Sequence, residues 1–276
     1  MITAHLPLRH RLTGEGAFGY VYQGQKSEDV MTDTRPKVCV IIGAGDGLGA
    51  ALARAFAAAG LTVCVTRRER NLNQLESLVT AIRDSGGKAH ALPIDARDEH
   101  AMVALFDSIE ADIGPIEVVA FNIGANVRFD VLDTTARVYQ KVWEMAAFAG
   151  FIAGREAARV MTPRKRGTII FTGATASLRG REGFGAFAGA KHALRALAQS
   201  MSRELAPKGV HVAHVVLDGA MEGAFIKGLM PDYETRLANG EIVAVDEAAK
   251  NWIWLWQQHK SAWTHELDLR PFSEKW

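Results

Sequence analysis

The residues of this chain best suited to chemistry begin with one turn, Gly43-Ala44-Gly45-Asp46-Gly47-Leu48-Gly49, and with the pair Arg67-Arg68. The turn follows an apolar run at 38–42 and precedes a segment in which Leu48, Leu52, Phe56 and Ala59 recur at helical spacing. Between a strand and a helix, glycines let the backbone reverse and bring helix N-terminal amides against a pyrophosphate, an approach that side chains would block. The chemistry that fits is dinucleotide binding. The next apolar run ends in Thr66-Arg67-Arg68, with no carboxylate until Glu69. A carboxylate at that point would accept hydrogen bonds from ribose hydroxyls, whereas guanidinium groups pair with a 2′-phosphate. The arginines favour NADP(H), with NAD(H) as the alternative and Asp46 a mild count against a phosphate.

To hold these residues the chain must alternate strands with helices. Short β-branched runs at 38–42, 61–66, 89–94, 116–121, 167–172, 210–217 and 264–269 predict strands. Helical periods separate them, including long helices over about 135–161 and 185–205 and a Trp-rich helix over 247–258. Near-continuous apolar strands mark a sheet covered on both faces. The expected architecture is α/β: a single Rossmann-fold domain over 36–276, a doubly wound parallel sheet of about seven strands with helices on both faces. Residues 1–35 lack a sustained period and read as a flexible N-terminal extension, with Met31 a plausible alternative start. Within them Gly14, Gly16, Gly19 and Val21 fit the glycine-rich loop of protein kinases. No lysine in a V-A-I-K context follows, and neither H-R-D nor D-F-G occurs, so the kinase reading is rejected.

Gly43, Gly47 and Gly49 also match the T-G-x-x-x-G-x-G pattern, with Ile42 in place of the threonine. Phe121-Asn122-Ile123-Gly124 keeps part of N-N-A-G, and Asp218-Gly219 stands where Pro-Gly is usual. On these residues the chain, from 37 to about 270, resembles the short-chain dehydrogenase/reductase family. The resemblance implies that Asp95 and Ala96 meet adenine, that Asn122 and Gly124 adjoin the cofactor, and that Lys191 binds the nicotinamide ribose. In that family a tyrosine four residues before the lysine exchanges the substrate proton, assisted by a serine and an asparagine. Here Phe187 stands at the tyrosine position, Ala174 at the serine and Ala146 at the asparagine. Losing a positioned acid costs about 10²–10⁴ in rate, and losing an oxyanion donor about 10²–10³. Thr172, Thr175, Ser177, Tyr139 and His192 lie near enough in sequence to stand in, but each reads better as structural.

Two functions follow from this reading. The first is an atypical NADP(H)-dependent oxidoreductase acting on a small, hydrophobic substrate that arrives protonated, as an iminium ion, or takes its proton from water. The second is an inactive NADP(H)-binding pseudoenzyme serving as sensor or scaffold.

Bulk properties narrow the class. A net charge of +1 gives no footprint for nucleic acid, and Arg164-Lys165-Arg166 reads as a solvated loop. No apolar run is long enough to span a membrane and no secretory signal is visible, so a cytoplasmic protein is expected. Cys39 and Cys64 sit in apolar runs as buried thiols. His211 and His214 are three apart on a strand and face opposite sides, so no metal site is expected. The alanine- and glycine-rich helices near 135–161 and 185–205 resemble the family's pairing helices and imply a homodimer or homotetramer. Substrate choice would lie in the segment over 221–241.

Overall fold

The computed structural model describes residues 34–275, so the kinase-like glycines and the extension up to Asp33 lie outside the described residues. Seven strands pair in parallel in the order β3-β2-β1-β4-β5-β6-β7. They are β1 Val38–Ile42, β2 Thr62–Thr66, β3 Lys88–Ala91, β4 Ile116–Phe121, β5 Thr168–Thr172, β6 His211–Leu217 and β7 Glu266–Leu269. Between them run α1 Leu48–Ala58, α2 Leu72–Asp84, α3 Glu99–Ser108, α4 Ala136–Trp143, α5 Ala149–Met161 and α6 Gly185–Leu205. After β6 come α7 Ala224–Leu229, α8 Tyr233–Ala238 and α9 Val245–Gln257.

Because side chains alternate along a strand, each face of the sheet builds its own core. Cys39, Ile41, Val63 and Val65 meet α1, α2 and α9, while Val38, Val40, Ile42 and Cys64 meet α3, α5 and α6. The cysteines are therefore free thiols on opposite faces, and burial raises both pKa values, that of Cys64 to about 12. Within α9 Trp252 is fully buried, Trp256 packs edge-on against Phe56, and Trp254 is half-exposed. Strand order reverses between β1 and β4, which opens a crevice at the carboxyl ends of those strands.

The structure departs from the sequence reading at four places. β3 stops at Ala91, since Pro93 has no N–H for a ladder. The predicted helix over 135–161 is divided by a π-helical turn, Glu144–Phe148, into α4 and α5. The segment over 221–241, where no helix is predicted, contains α7 and α8, each too short to display a period and separated by Pro231. Finally, Arg164 and Arg166 are not solvated bystanders: they pair with Glu110 and Glu117 at 2.7 Å. No helix among the described residues is long and apolar enough to cross a membrane.

Candidate active site

A cleft of about 1050 Å³ runs along the carboxyl edge of the sheet. Gly43, Asp46, Gly47, Leu48, Gly49, Arg67, Arg68, Asp95, Ala96, Asn122, Gly124 and Lys191 all line it. Every cofactor residue expected from the sequence is thus brought to one surface.

The β1–α1 turn is built for close approach. Gly43 has φ +97, and a Cβ there would stand 2.8 Å from Asn122 O; one on Gly49 would stand 2.5 Å from Gly43 O. Asn122 braces the turn through Nδ2, which donates to Gly43 O at 3.2 Å. No side chain caps α1 at Gly47, so its first amides have no side-chain acceptor. The Arg67 guanidinium carbon lies 4.0 Å from where a Gly45 Cβ would be, and Arg67 donates to Gln74. Partial burial and then the neighbouring cations Arg70, Arg97 and Arg67 hold the Arg68 pKa below its ordinary value, opposed by Asp95. Asp95 is itself held low, chiefly by hydrogen bonds from Arg97 at 2.9 and 2.5 Å. This end of the cleft carries crowded positive charge.

At the other end, Lys191 rises from α6 and is almost wholly buried. Its ammonium donates to Thr172 O at 2.8 Å and Ile123 O at 3.1 Å, at the ends of β5 and β4. Burial lowers its pKa from 10.5 to about 7. The Phe187 ring lies one turn earlier, its centroid 5.8 Å from Lys191 Nζ. Ala174 and Met145 line the same wall, whereas Ala146 is fully buried behind it in the π-helical turn. Ala125, in the loop leaving β4, holds a left-handed φ of 67, a strained conformation for a side-chain-bearing residue.

The alternative proton donors separate clearly. The Tyr139 hydroxyl rests against Gly189 on the outer side of α6, and His192 Nδ1 donates to Ala188 O at 2.9 Å; neither lines the cleft. Ser177 is fully buried and accepts from Ala174 N at 3.1 Å, which fixes the loop. Thr172 and Thr175 line the cleft, the Thr172 hydroxyl without a partner.

Beneath that loop lies a feature the sequence reading missed. Gly173 has no Cβ, and the His214 ring occupies the space: a Cβ would meet Nε2 at 2.4 Å and Ser177 Oγ at 3.0 Å. His214 Nδ1 meets Glu266 at 3.1 Å, and Arg195 binds Glu266 through two nitrogens at 2.6 and 2.7 Å. Burial lowers the His214 pKa to about 4. His211 faces away, stacked 5.0 Å from Trp263.

The family described as short chain dehydrogenase matches residues 37–228. The chain belongs to the short chain dehydrogenase family. This short chain dehydrogenase is similar to several solved structures. A short-chain dehydrogenase from Rhodopseudomonas palustris is 47% identical, with TM-score 0.73 over 86% of this chain and 99% of that one. An actinorhodin polyketide ketoreductase solved with NADPH shares the fold at 20% identity and TM-score 0.77, over 86% of this chain and 96% of that one. Among curated relatives, 2-dehydro-3-deoxy-D-gluconate 5-dehydrogenase of Formosa agariphila is 28% identical over 180 residues, 65% of this chain and 68% of that relative. Gluconate 5-dehydrogenase of Gluconobacter oxydans is 27% identical over 214 residues, 78% of this chain and 77% of that relative.

Proposed function

We propose that this short chain dehydrogenase is an NADP(H)-dependent oxidoreductase whose substrate needs no tyrosine-borne proton. The observation that carries the reading is Lys191, a buried ammonium fixed by two backbone carbonyls beside a wall of Phe187 and Ala174. An ammonium has three protons, and the carbonyls take two. The third suits a ribose hydroxyl. The glycine turn suits a pyrophosphate, because only glycine tolerates the Gly43–Gly49 contact. Asp95 and Ala96 would meet the adenine, and Asn122 and Gly124 the path to the nicotinamide. Crowding of Arg68 by other cations supports NADP(H) over NAD(H), since a 2′-phosphate would relieve it.

When bound, the dinucleotide supplies or accepts a hydride at the substrate carbon. Phe187, Ala174 and Met145 exclude water and offer apolar contact. An iminium ion already carries the charge that a ketone gains by protonation, so hydride addition yields a neutral amine with no proton required. The test is titration with NADPH and NADH, then NADPH oxidation against ketones, imines and activated alkenes. Tighter NADPH binding with turnover of imines or alkenes but not ketones is expected. Failure of both nucleotides to bind refutes the reading.

One observation favours a second reading, a cofactor-binding protein without turnover. Among the described residues lining the cleft there is no tyrosine, histidine, serine or cysteine, and the hydroxyls are those of Thr66, Thr172 and Thr175. That reading expects NADPH binding and no turnover across the panel.

We also propose a homo-oligomer, on different grounds from the small residues. Gly150 and Gly154 admit Leu194 and Met201 of α6 within the chain, since a Cβ on either would lie 2.5 or 2.8 Å from them. What α4 and α5 present outward is aromatic: Tyr139, Trp143 and Phe151 are 49, 41 and 42% exposed, and Phe148 stacks between the last two. Trp143→Glu with Phe151→Glu should yield a monomer by sedimentation; an unchanged sedimentation coefficient would sink the idea. Two buried, unbridged thiols are compatible with a reducing compartment such as the cytoplasm.

A further inference from the structure

Asp218 has no part in the chemistry above, yet three side chains converge on it. It follows β6 directly, its N–H donates to Leu269 O at 2.8 Å, and it is fully buried. Thr175 Oγ1 donates to Oδ1 at 2.7 Å. One terminal nitrogen of Arg179 reaches both carboxylate oxygens, at 3.1 and 3.2 Å, and Arg270 stands 3.6 Å from Oδ2. Thr175 and Arg179 belong to the loop leaving β5 and line one wall of the cleft. Arg270 opens the C-terminal segment, whose Pro271 and Glu274 pack within 2.7 and 3.4 Å of where a Gly219 Cβ would lie. Glu274 and Lys275 also line the cleft. One buried carboxylate thus joins the loop leaving β5 to the C-terminal segment.

We infer that Asp218 is a positioning residue for the substrate: it takes the Thr175 proton, so that the Thr175 oxygen meets the cleft as an acceptor for a substrate N–H or hydroxyl. A hydroxyl has one proton and two lone pairs. With the proton committed to a carboxylate in a charge-assisted bond, only acceptance remains. A ketone oxygen, itself an acceptor, gains nothing there; an imine N–H or a neighbouring hydroxyl does. The inference deepens the proposed oxidoreductase function and rests on it for turnover, while the geometry around Asp218 involves no cofactor.

NADPH titration comes first, with Kd expected within about threefold of the parent for Thr175→Val, Thr175→Ser and Asp218→Asn, since none contacts the glycine turn. Paired iminium substrates with and without an N–H are then compared by kcat/KM. The preference for the N–H-bearing member should fall about tenfold or more in Thr175→Val and Asp218→Asn and return in Thr175→Ser. An unchanged preference overturns the inference. A second arm needs no turnover and decides alone if the panel is silent or NADPH does not bind. Arg270→Met should speed hydrogen exchange both in 270–275 and, through Asp218, in 174–184. Acceleration confined to 270–275 overturns the inference.

Discussion

Replacing Lys191 by methionine isolates the electrostatic consequence of its burial. In an unfolded chain the amine titrates near 10.5, and in the fold near 7. The folded state therefore binds fewer protons than the unfolded state between those values. Stability is lost as pH falls from 10.5 towards 7 and changes little below that. The full cost below pH 7 is about 5 kcal/mol, and integration between pH 6 and pH 9 gives about 2–3 kcal/mol from this group alone. Methionine keeps the length and apolar stem but leaves Thr172 O and Ile123 O without the ammonium, at roughly 1–3 kcal/mol each. That loss does not depend on pH, so the difference between the two proteins is the quantity to read. Urea unfolding followed by tryptophan fluorescence at pH 6 and pH 9 measures it. The parent should gain about 2–3 kcal/mol relative to Lys191→Met on going to pH 9, or about 5–10 °C in Tm. His214, whose unfolded form begins to protonate near pH 6.5, is common to both proteins and so drops out of the comparison. If both proteins show the same pH dependence, Lys191 is not held towards neutrality, and the argument from its burial fails.

Replacing Arg67 and Arg68 together by alanine should weaken NADPH binding about tenfold or more and leave NADH binding unchanged; titration with both nucleotides checks it. Gly49→Ala forces a Cβ to within 2.5 Å of Gly43 O and 2.7 Å of Ala44 Cα, where only backbone could yield. A loss of about 1–3 kcal/mol by chemical unfolding, with NADPH binding abolished, is expected. Because burial holds His214 neutral to about pH 4, it contributes stability above pH 6.5 that is lost as pH falls towards 4. His214→Asn should therefore flatten an acid-unfolding profile over that interval by about 3 kcal/mol. Phe187→Tyr combined with Ala174→Ser returns a proton donor and its partner to the Lys191 wall, and ketone reduction should rise about 10²–10³-fold in an NADPH oxidation assay.

Much of this fold was legible because β1, β2 and β5 are almost entirely β-branched, and because a glycine turn between strand and helix has few other uses. Boundaries failed where local chemistry intervened, as at Pro93 just beyond β3. The π-helical turn at Glu144–Phe148 interrupts no hydrophobic period, so nothing in the residues announces it. The residues expected to hold a cofactor, Lys191 on α6 apart, follow the ends of strands, and parallel pairing gathers them at one cleft. The Asp218 cluster was not. Its members come from 175, 179, 218 and 270, and only folding reveals that β5, β6 and β7 end side by side. Small residues announce close packing without naming the partner, and Gly150 and Gly154 of α5 admit Leu194 and Met201 of α6 in the same chain.

The ring of His214 in the space left by Gly173 makes these two positions hostage to one another across descent. Any side chain gained at 173 collides with the imidazole, and any smaller residue at 214 opens a hole beneath the loop. Each single change passes through a less stable ancestor, whereas the paired change need not.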